Sequence, residues 1–422
     1  MLLPIALASP LPSCPGPSCC PGPGELIGPA PGACSWGLLR ASRQLALFAV
    51  CRATFLAVAR TVWPGLGGLV PTASIADIWP MKFGHFTLDA AKGAILAHSM
   101  QTRGGILKKG RSLSSEDLAC LAAAGHTEVV AARLEAGDVG EDEAARRVAA
   151  AAAGPGTHAA PAFTGRANIY ADASGLAIVD PALIAAVNAL SEGLTVATLP
   201  PLACLAQGQM LATVKVITFS VPEPVVAEAE RILKAGSCLA AVRTFARKSA
   251  GLVLTRMAAT KSSVLEKRRL AIAARLQGLG SRLIAVETVA HTETAVAAAI
   301  LRLRHQGADP IIVFAASAIV DRGDVVPAAL VEVGGEVVRL GMPVDPGNLI
   351  LVGRIGTVDV IGAPSCAASP KLNGFDWVLQ RRLAGLEVGM CEMAAMGLGG
   401  LLTEIPTRPQ PREGEGRSAA EA

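Results

Sequence analysis

The sequence predicts an α/β protein whose C-terminal half is a doubly wound, mostly parallel sheet, preceded by a smaller α+β region. Three observations predict this. The runs AGLVLT (250–255) and PIIVF (310–314) are too apolar throughout to be half-exposed, as strands buried on both faces must be. Helical periodicity alternates with such runs from residue 250 to residue 383. Hydrophobic residues make up 51% of the chain but aromatics only 3%, so the core is built from Ala, Val, Leu and Ile. Ala loses no side-chain entropy in a helix, and β-branched residues suit the pleat.

Taken in order, the elements start abruptly at Met81. Residues 1–80 hold twelve of the 28 prolines, three of the four tryptophans and no lysine. PSCPGPSCCPGPGELIGPAPG cannot form a helix or central strand, because Pro and Gly break both. Residues 44–63 are apolar, but Arg52 and Arg60 lie inside the span, each costing about 2.5–3.5 kcal/mol near a bilayer centre. A short amphipathic helix is predicted there, not a membrane span. The expectation is a disordered extension, with translation starting at Met81.

Residues 81–245 read as the α+β region. Asp89–His98 is a helical turn leading into a strand, and Gly104-Gly105 a tight turn before a strand at Ile106-Leu107. Ser114 or Ser115 caps a helix with Leu118, Leu121 and Ala122 inward, and Gly125 ends it before a strand at Glu128–Ala132. Helices follow at 141–153, 181–190 and 223–234, with β-rich runs between them. Lys215 is expected on an edge strand. Arg166 and Asn168 read as a solvated pair more readily than as an anion site.

Residues 246–386 read as the ligand-binding domain. Strands are predicted at 250–255, 282–289, 310–314, 336–341, 348–352 and 359–362, with helices at 264–279, 294–305, 325–333 and 372–383. Ligands bind such sheets beyond the carboxyl ends of the strands, where helix N-termini and loop amides converge on anions. Three loops at those ends gather the unusual residues. AASAIVDRGD carries Ser317, Asp321 and Asp324, the two carboxylates being candidate Mg²⁺ ligands and Asp324 also a helix cap. Asp345-Pro346-Gly347-Asn348 is a sharp turn exposing amides. GAPSCAASPKLNGFDW places Pro364, Ser365, Ser369, Lys371 and Asn373 at the entry to the last helix, where free N–H groups favour phosphate. Lys261 and Lys267, after the first strand, could also meet a phosphate, although Lys267 reads more readily as part of a solvated helix face. Residues 387–422 are a C-terminal tail, polar and disordered from Glu404 onward.

Other classes are excluded or weakened by composition. A net charge of +4 is small for 422 residues and argues against a nucleic-acid partner. The ten cysteines include no CxxC pair, which fits reduced cytosolic thiols and no zinc site. There is no Walker loop and no GxGxxG after the first strand, which weakens a generic nucleotide-binding reading.

These loops resemble the molybdopterin-binding domain shared by molybdopterin molybdotransferases and adenylyltransferases. The likeness covers roughly residues 81–405 and is greatest to a bacterial subgroup sometimes fused to a cofactor nucleotidyltransferase. It rests on Ser317 with Asp321 or Asp324, on Pro346-Gly347, and on Gly362-Ala363-Pro364 with Ser369. It implies molybdopterin as ligand or substrate, Mg²⁺ on Asp321 and Asp324, and a cytoplasmic place in molybdenum cofactor biosynthesis. Asp321 and Asp324 are then the catalytic candidates. Ser317, Asp345, Pro346, Gly347, Asn348, Pro364, Ser365, Ser369, Lys371 and Asn373 become the cofactor-binding ones. A separate nucleotidyltransferase or molybdoenzyme is the implied partner, and a homo-oligomer is compatible. The family's paired glycines are Ala315-Ala316 here, and its second Pro-Gly is Pro364-Ser365. A β-carbon hinders close backbone approach to phosphate, so a binding and delivery module is expected over a Mg²⁺-dependent nucleotidyl- or molybdotransferase.

Overall fold

A computed structural model describes residues 81–236 and 238–402. The predicted extension at 1–80, with its helix at 44–63, lies outside them, as does the segment from 403 onward. Among the described residues no helix is long and apolar enough to cross a membrane.

The α+β region holds two separate cores. The first joins Ala91, Leu96, Leu121 and Val129 beneath a three-stranded sheet of Met81–Thr87, Glu128–Leu134 and Ile95–Leu96. Its helix, Ser115–Ala123, begins at Ser114, whose hydroxyl accepts from the Asp117 amide while the Asp117 carboxylate accepts from the Ser114 amide. Arg111 pairs with Asp117 at 2.9 Å, and this hydrogen bond holds the carboxyl below the usual carboxylate range. The second core lies under a four-stranded sheet in the order Leu194–Thr198, Met210–Val216, Arg166–Ala171, Thr157–Ala159. Helices Glu141–Ala152 and Glu223–Ala235 are joined above it by Arg147, which bridges Glu223 and Glu230. Lys215 is not on an edge. Its strand is paired on both sides, and its ammonium bonds the Thr164 carbonyl at the sheet's end.

The C-terminal domain has six strands: β1 (Ser249–Arg256), β2 (Arg282–Ala290), β3 (Ile311–Phe314), β4 (Glu336–Leu340), β5 (Leu351–Ile355) and β6 (Val358–Ala363). Its helices are α1 (Ser262–Gly278), α2 (Glu293–His305), α3 (Val325–Glu332), α4 (Gly374–Leu383) and α5 (Met390–Ala395). The sheet order is β2-β1-β3-β6-β5-β4. Pairs among β2, β1, β3 and β6 are parallel, but β5 runs antiparallel to both β6 and β4. The sheet is therefore mixed, not wholly parallel. The cause is local: only Gly356 (φ +62°) and Thr357 separate β5 from β6, and a two-residue connection makes a hairpin.

Alternate side chains of the sheet feed two cores, since successive residues of a strand face opposite ways. Leu252, Leu254, Ile312 and Phe314 pack with Ile272 and Leu276 of α1 and Phe375 and Leu379 of α4. Val253, Ile311 and Val313 pack with Ile300 and Leu303 of α2 and Leu330 of α3. Residues 387–402 of the predicted tail fold back onto the first of these cores. Met393 and Met396 are buried in it, the Asp345 amide donates to Gly400, and the Leu402 amide donates to Asp345.

One arginine ties this face together. Arg275, near the end of α1, pairs with Asp376 of α4 at 2.6 Å, and the two side chains are 10% and 13% exposed. It also donates to the carbonyls of Ala271, Ala367, Ser369 and Lys371. Removing one partner of a buried pair leaves the other charge uncompensated. We expect Arg275→Met to lower unfolding free energy by about 3–5 kcal/mol. Urea denaturation measures this, and a loss indistinguishable from zero would refute the clamp.

Candidate functional site

The carboxyl ends of β3 and β6 frame a small cleft. Ala315–Ile319 follows β3, Pro364 and Ser365 follow β6, and Leu349 closes one side. Arg268, on α1, forms the remaining wall. The cleft encloses about 50 Å³, far below the roughly 300–1,000 Å³ of a small-molecule pocket, so it holds the end of a ligand and not the whole of one.

Of the residues expected at the site, Ser317, Pro364 and Ser365 come together here, with Ser317 and Ser365 exposed. Asp321 and Asp324 lie further along the loop and mainly hold it in shape. The Asp324 carboxylate accepts from the amides of Val320 (2.7 Å) and Asp321 (3.1 Å), and makes no cap bond to α3 although Asp324 stands at the N-cap position. Asp321 accepts from the Gly323 amide at 2.7 Å. Each carboxylate keeps a second oxygen. Among the described residues no three His, Cys, Asp or Glu side chains gather as a metal site.

The helix entry differs from expectation, because its amides are already used. The Gly374 amide donates to Pro346, and the Phe375 amide to the Asn373 side chain. Asn373 is 1% exposed, with its remaining side-chain N–H on the Lys371 carbonyl. Asp376 accepts from the Asn373 amide, which adds negative charge where a phosphate was expected. The turn at Asp345–Asn348 packs against this same entry. Gly347 has φ +134°, and a β-carbon there would stand 2.4 Å from the Gly374 nitrogen, so its glycine serves contact with α4. Ser369 accepts from the Lys371 amide, and Lys371 is exposed. Asp345, Pro346, Gly347, Asn348, Ser369, Lys371 and Asn373 do not line the cleft.

Ala315-Ala316 needs no glycine. Neither residue has positive φ, and the Ala316 amide points inward to Thr255 Oγ1 at 2.7 Å. Thr255, fully buried at the end of β1, also lies 2.9 Å from Nδ1 of His291. It therefore anchors the loop on which Ser317 stands. Arg268 supplies the charge. Its guanidinium lies 4.5 Å from the Phe314 ring and donates to the Ala315 carbonyl at 3.1 Å. No carboxylate among the described residues pairs with it, and burial pushes its pKa down from the ordinary arginine value. A half-buried cation without a counter-charge favours an incoming anion. Neither Thr255 nor Arg268 was apparent from the sequence: the one ends an apolar strand, and the other is one of four adjacent charged residues at 266–269.

A family profile described as a domain of unknown function (DUF8806) matches residues 86–133, the segment holding the first core. No curated protein matches the chain. The crystal structure of the molybdopterin biosynthesis MoeA protein from Pyrococcus horikosii aligns over 74% of this chain and 76% of its own. The identity is 12% and the TM-score 0.26. A MogA structure aligns over 32% of this chain and 92% of its own, with 22% identity and a TM-score of 0.22.

Thr255→Val removes the acceptor of a buried amide, at a cost of about 1–3 kcal/mol. Faster amide exchange at Ala316 should accompany a lower urea midpoint, and unchanged exchange there would refute the anchoring role.

Proposed function

We propose that this protein binds molybdopterin, or a nucleotide- or molybdate-loaded form of it, and delivers it in molybdenum cofactor biosynthesis. The observation that carries the reading is Arg268, a half-buried guanidinium without a carboxylate partner that lines a cleft at the strand ends together with Ser317 and Ser365. The sequence resemblance names the ligand class. Its phosphate would enter the cleft, where the guanidinium and two hydroxyls match an anionic oxygen cluster. The cleft's small volume leaves the pterin body lying across the open strand ends.

Delivery is favoured over catalysis because Ala315-Ala316 stands where the resembled family has paired glycines, and because three expected donors are taken within the protein. The Ala316 amide is taken by Thr255 and the first α4 amides by Asn373 and Pro346, which removes these three donors from charge developing at phosphorus. Mg²⁺ would be held by the remaining oxygens of Asp321 and Asp324, with water and the ligand phosphate completing its shell. The setting is cytoplasmic, and the next step belongs to a separate nucleotidyltransferase or molybdoenzyme.

Equilibrium binding of molybdopterin to the full chain tests this, with and without Mg²⁺ and nucleotide. Arg268→Gln should weaken binding by about tenfold or more, since a charged hydrogen bond contributes about 1.5–3 kcal/mol. Lys371→Ala should change it little. No binding by the folded wild-type protein, or equal binding by Arg268→Gln, would overturn the proposal. Mg²⁺-dependent nucleotide turnover would replace delivery with transferase chemistry.

A further inference from the structure

A second and much larger hollow lies away from the strand-end cleft. It encloses about 1020 Å³ between the Pro200–Cys204 loop of the α+β region and helices α4 and α5. Its walls are chiefly apolar, with Ile178 and Leu202 on one side and Leu372, Leu386 and Met396 on the other. That volume is of the size that accepts a whole small molecule.

Three further observations point to what it accepts. Trp377, the only tryptophan among the described residues, is one of its lining residues. Arg381, one turn along α4, lies 5.4 Å from that ring and donates to the Trp377 carbonyl at 3.0 Å. No carboxylate among the described residues pairs with Arg381, and burial pushes its pKa down. The opposite wall is held in an uncommon conformation. Leu202 has φ +62°, which a bulky residue rarely adopts, and its amide is fastened to Ala177 at 2.7 Å. Strained backbone of this kind clusters at ligand clamps.

We infer that this hollow is a binding site for a flat, apolar organic monoanion, a carboxylate or sulfonate. The ring system would lie between Trp377 and the Leu202 wall, with its anionic end on the Arg381 guanidinium. Such a ligand would supply the missing counter-charge while burying apolar surface. Glu387 and Glu392 also line the hollow, and their charge disfavours a di- or triphosphate. The site does not depend on the function proposed for the strand-end cleft, with which it shares no lining residue.

The test uses the full chain and two fluorescent probes of similar shape. Anilinonaphthalene sulfonate carries one negative charge, and phenylnaphthylamine carries none. The wild type should bind the sulfonate at one saturable site per chain. Arg381→Gln should weaken the sulfonate by about tenfold, as loss of a charge-assisted bond implies, and leave the neutral probe within about twofold. Should Arg381→Gln fail to fold, Leu398→Glu serves instead, because Leu398 lines the mouth at 95% exposure. Its added charge should weaken the sulfonate severalfold more than the neutral probe. Unsaturable binding, or equal effects on both probes, would overturn the inference.

Discussion

The ion pair between Arg275 and Asp376 is the constraint on which this face of the C-terminal domain depends. One planar guanidinium reaches a carboxylate and four carbonyls, so it fixes α1, the segment leaving β6 and the start of α4 in a single arrangement. The start of α4 then fixes more. Its first amide donates to the Pro346 carbonyl, and Gly347 can sit against it only because it lacks a β-carbon. A lysine would supply charge at Arg275 but not the fork that spans these acceptors.

The cleft illustrates a division of labour between backbone and side chains. Many phosphate sites present a row of amides, and glycine lets the chain come close enough to do so. Here the Ala316, Gly374 and Phe375 amides are satisfied within the protein, and the charge at the cleft is that of a side chain. Arg268 is held against the ring that ends β3, so it has an orientation before any ligand arrives. A side chain of this sort tolerates alanine in the neighbouring loop, where an amide cradle would not.

Local pattern made the elements of the C-terminal domain legible. The helix read at 264–279 spans Ser262–Gly278, and the strand read at 310–314 spans Ile311–Phe314. What the pattern did not disclose were partners distant in the chain. Lys215 looked like an edge residue because alternation reveals faces and not neighbours. The antiparallel hairpin was written in Gly356-Thr357, a turn short enough to be noticed. Helix α5 is hard to read because GMCEMAAMGLGG is brief and rich in glycine, and Met393 within it and Met396 just past its end gain their burial only from the core they meet. The expected phosphate site at Asn373 failed for a similar reason. Asparagine there is equally good as a ligand residue and as a cap, and only the fold shows its side chain committed to Phe375 and Lys371.

The bridge between Asp345 and residues 400–402 gives the domain a mechanical character. Two hydrogen bonds, one to Gly400 and one from Leu402, join the outgoing chain to the turn that rests on α4. Tension applied beyond Leu402 is therefore borne first by that turn. The two bonds flank a single parallel bridge between Asp345 and Leu401, so a pull on the outgoing chain loads both together. A pull at Leu402 therefore reaches the start of α4 through this turn before it reaches the buried methionines Met393 and Met396.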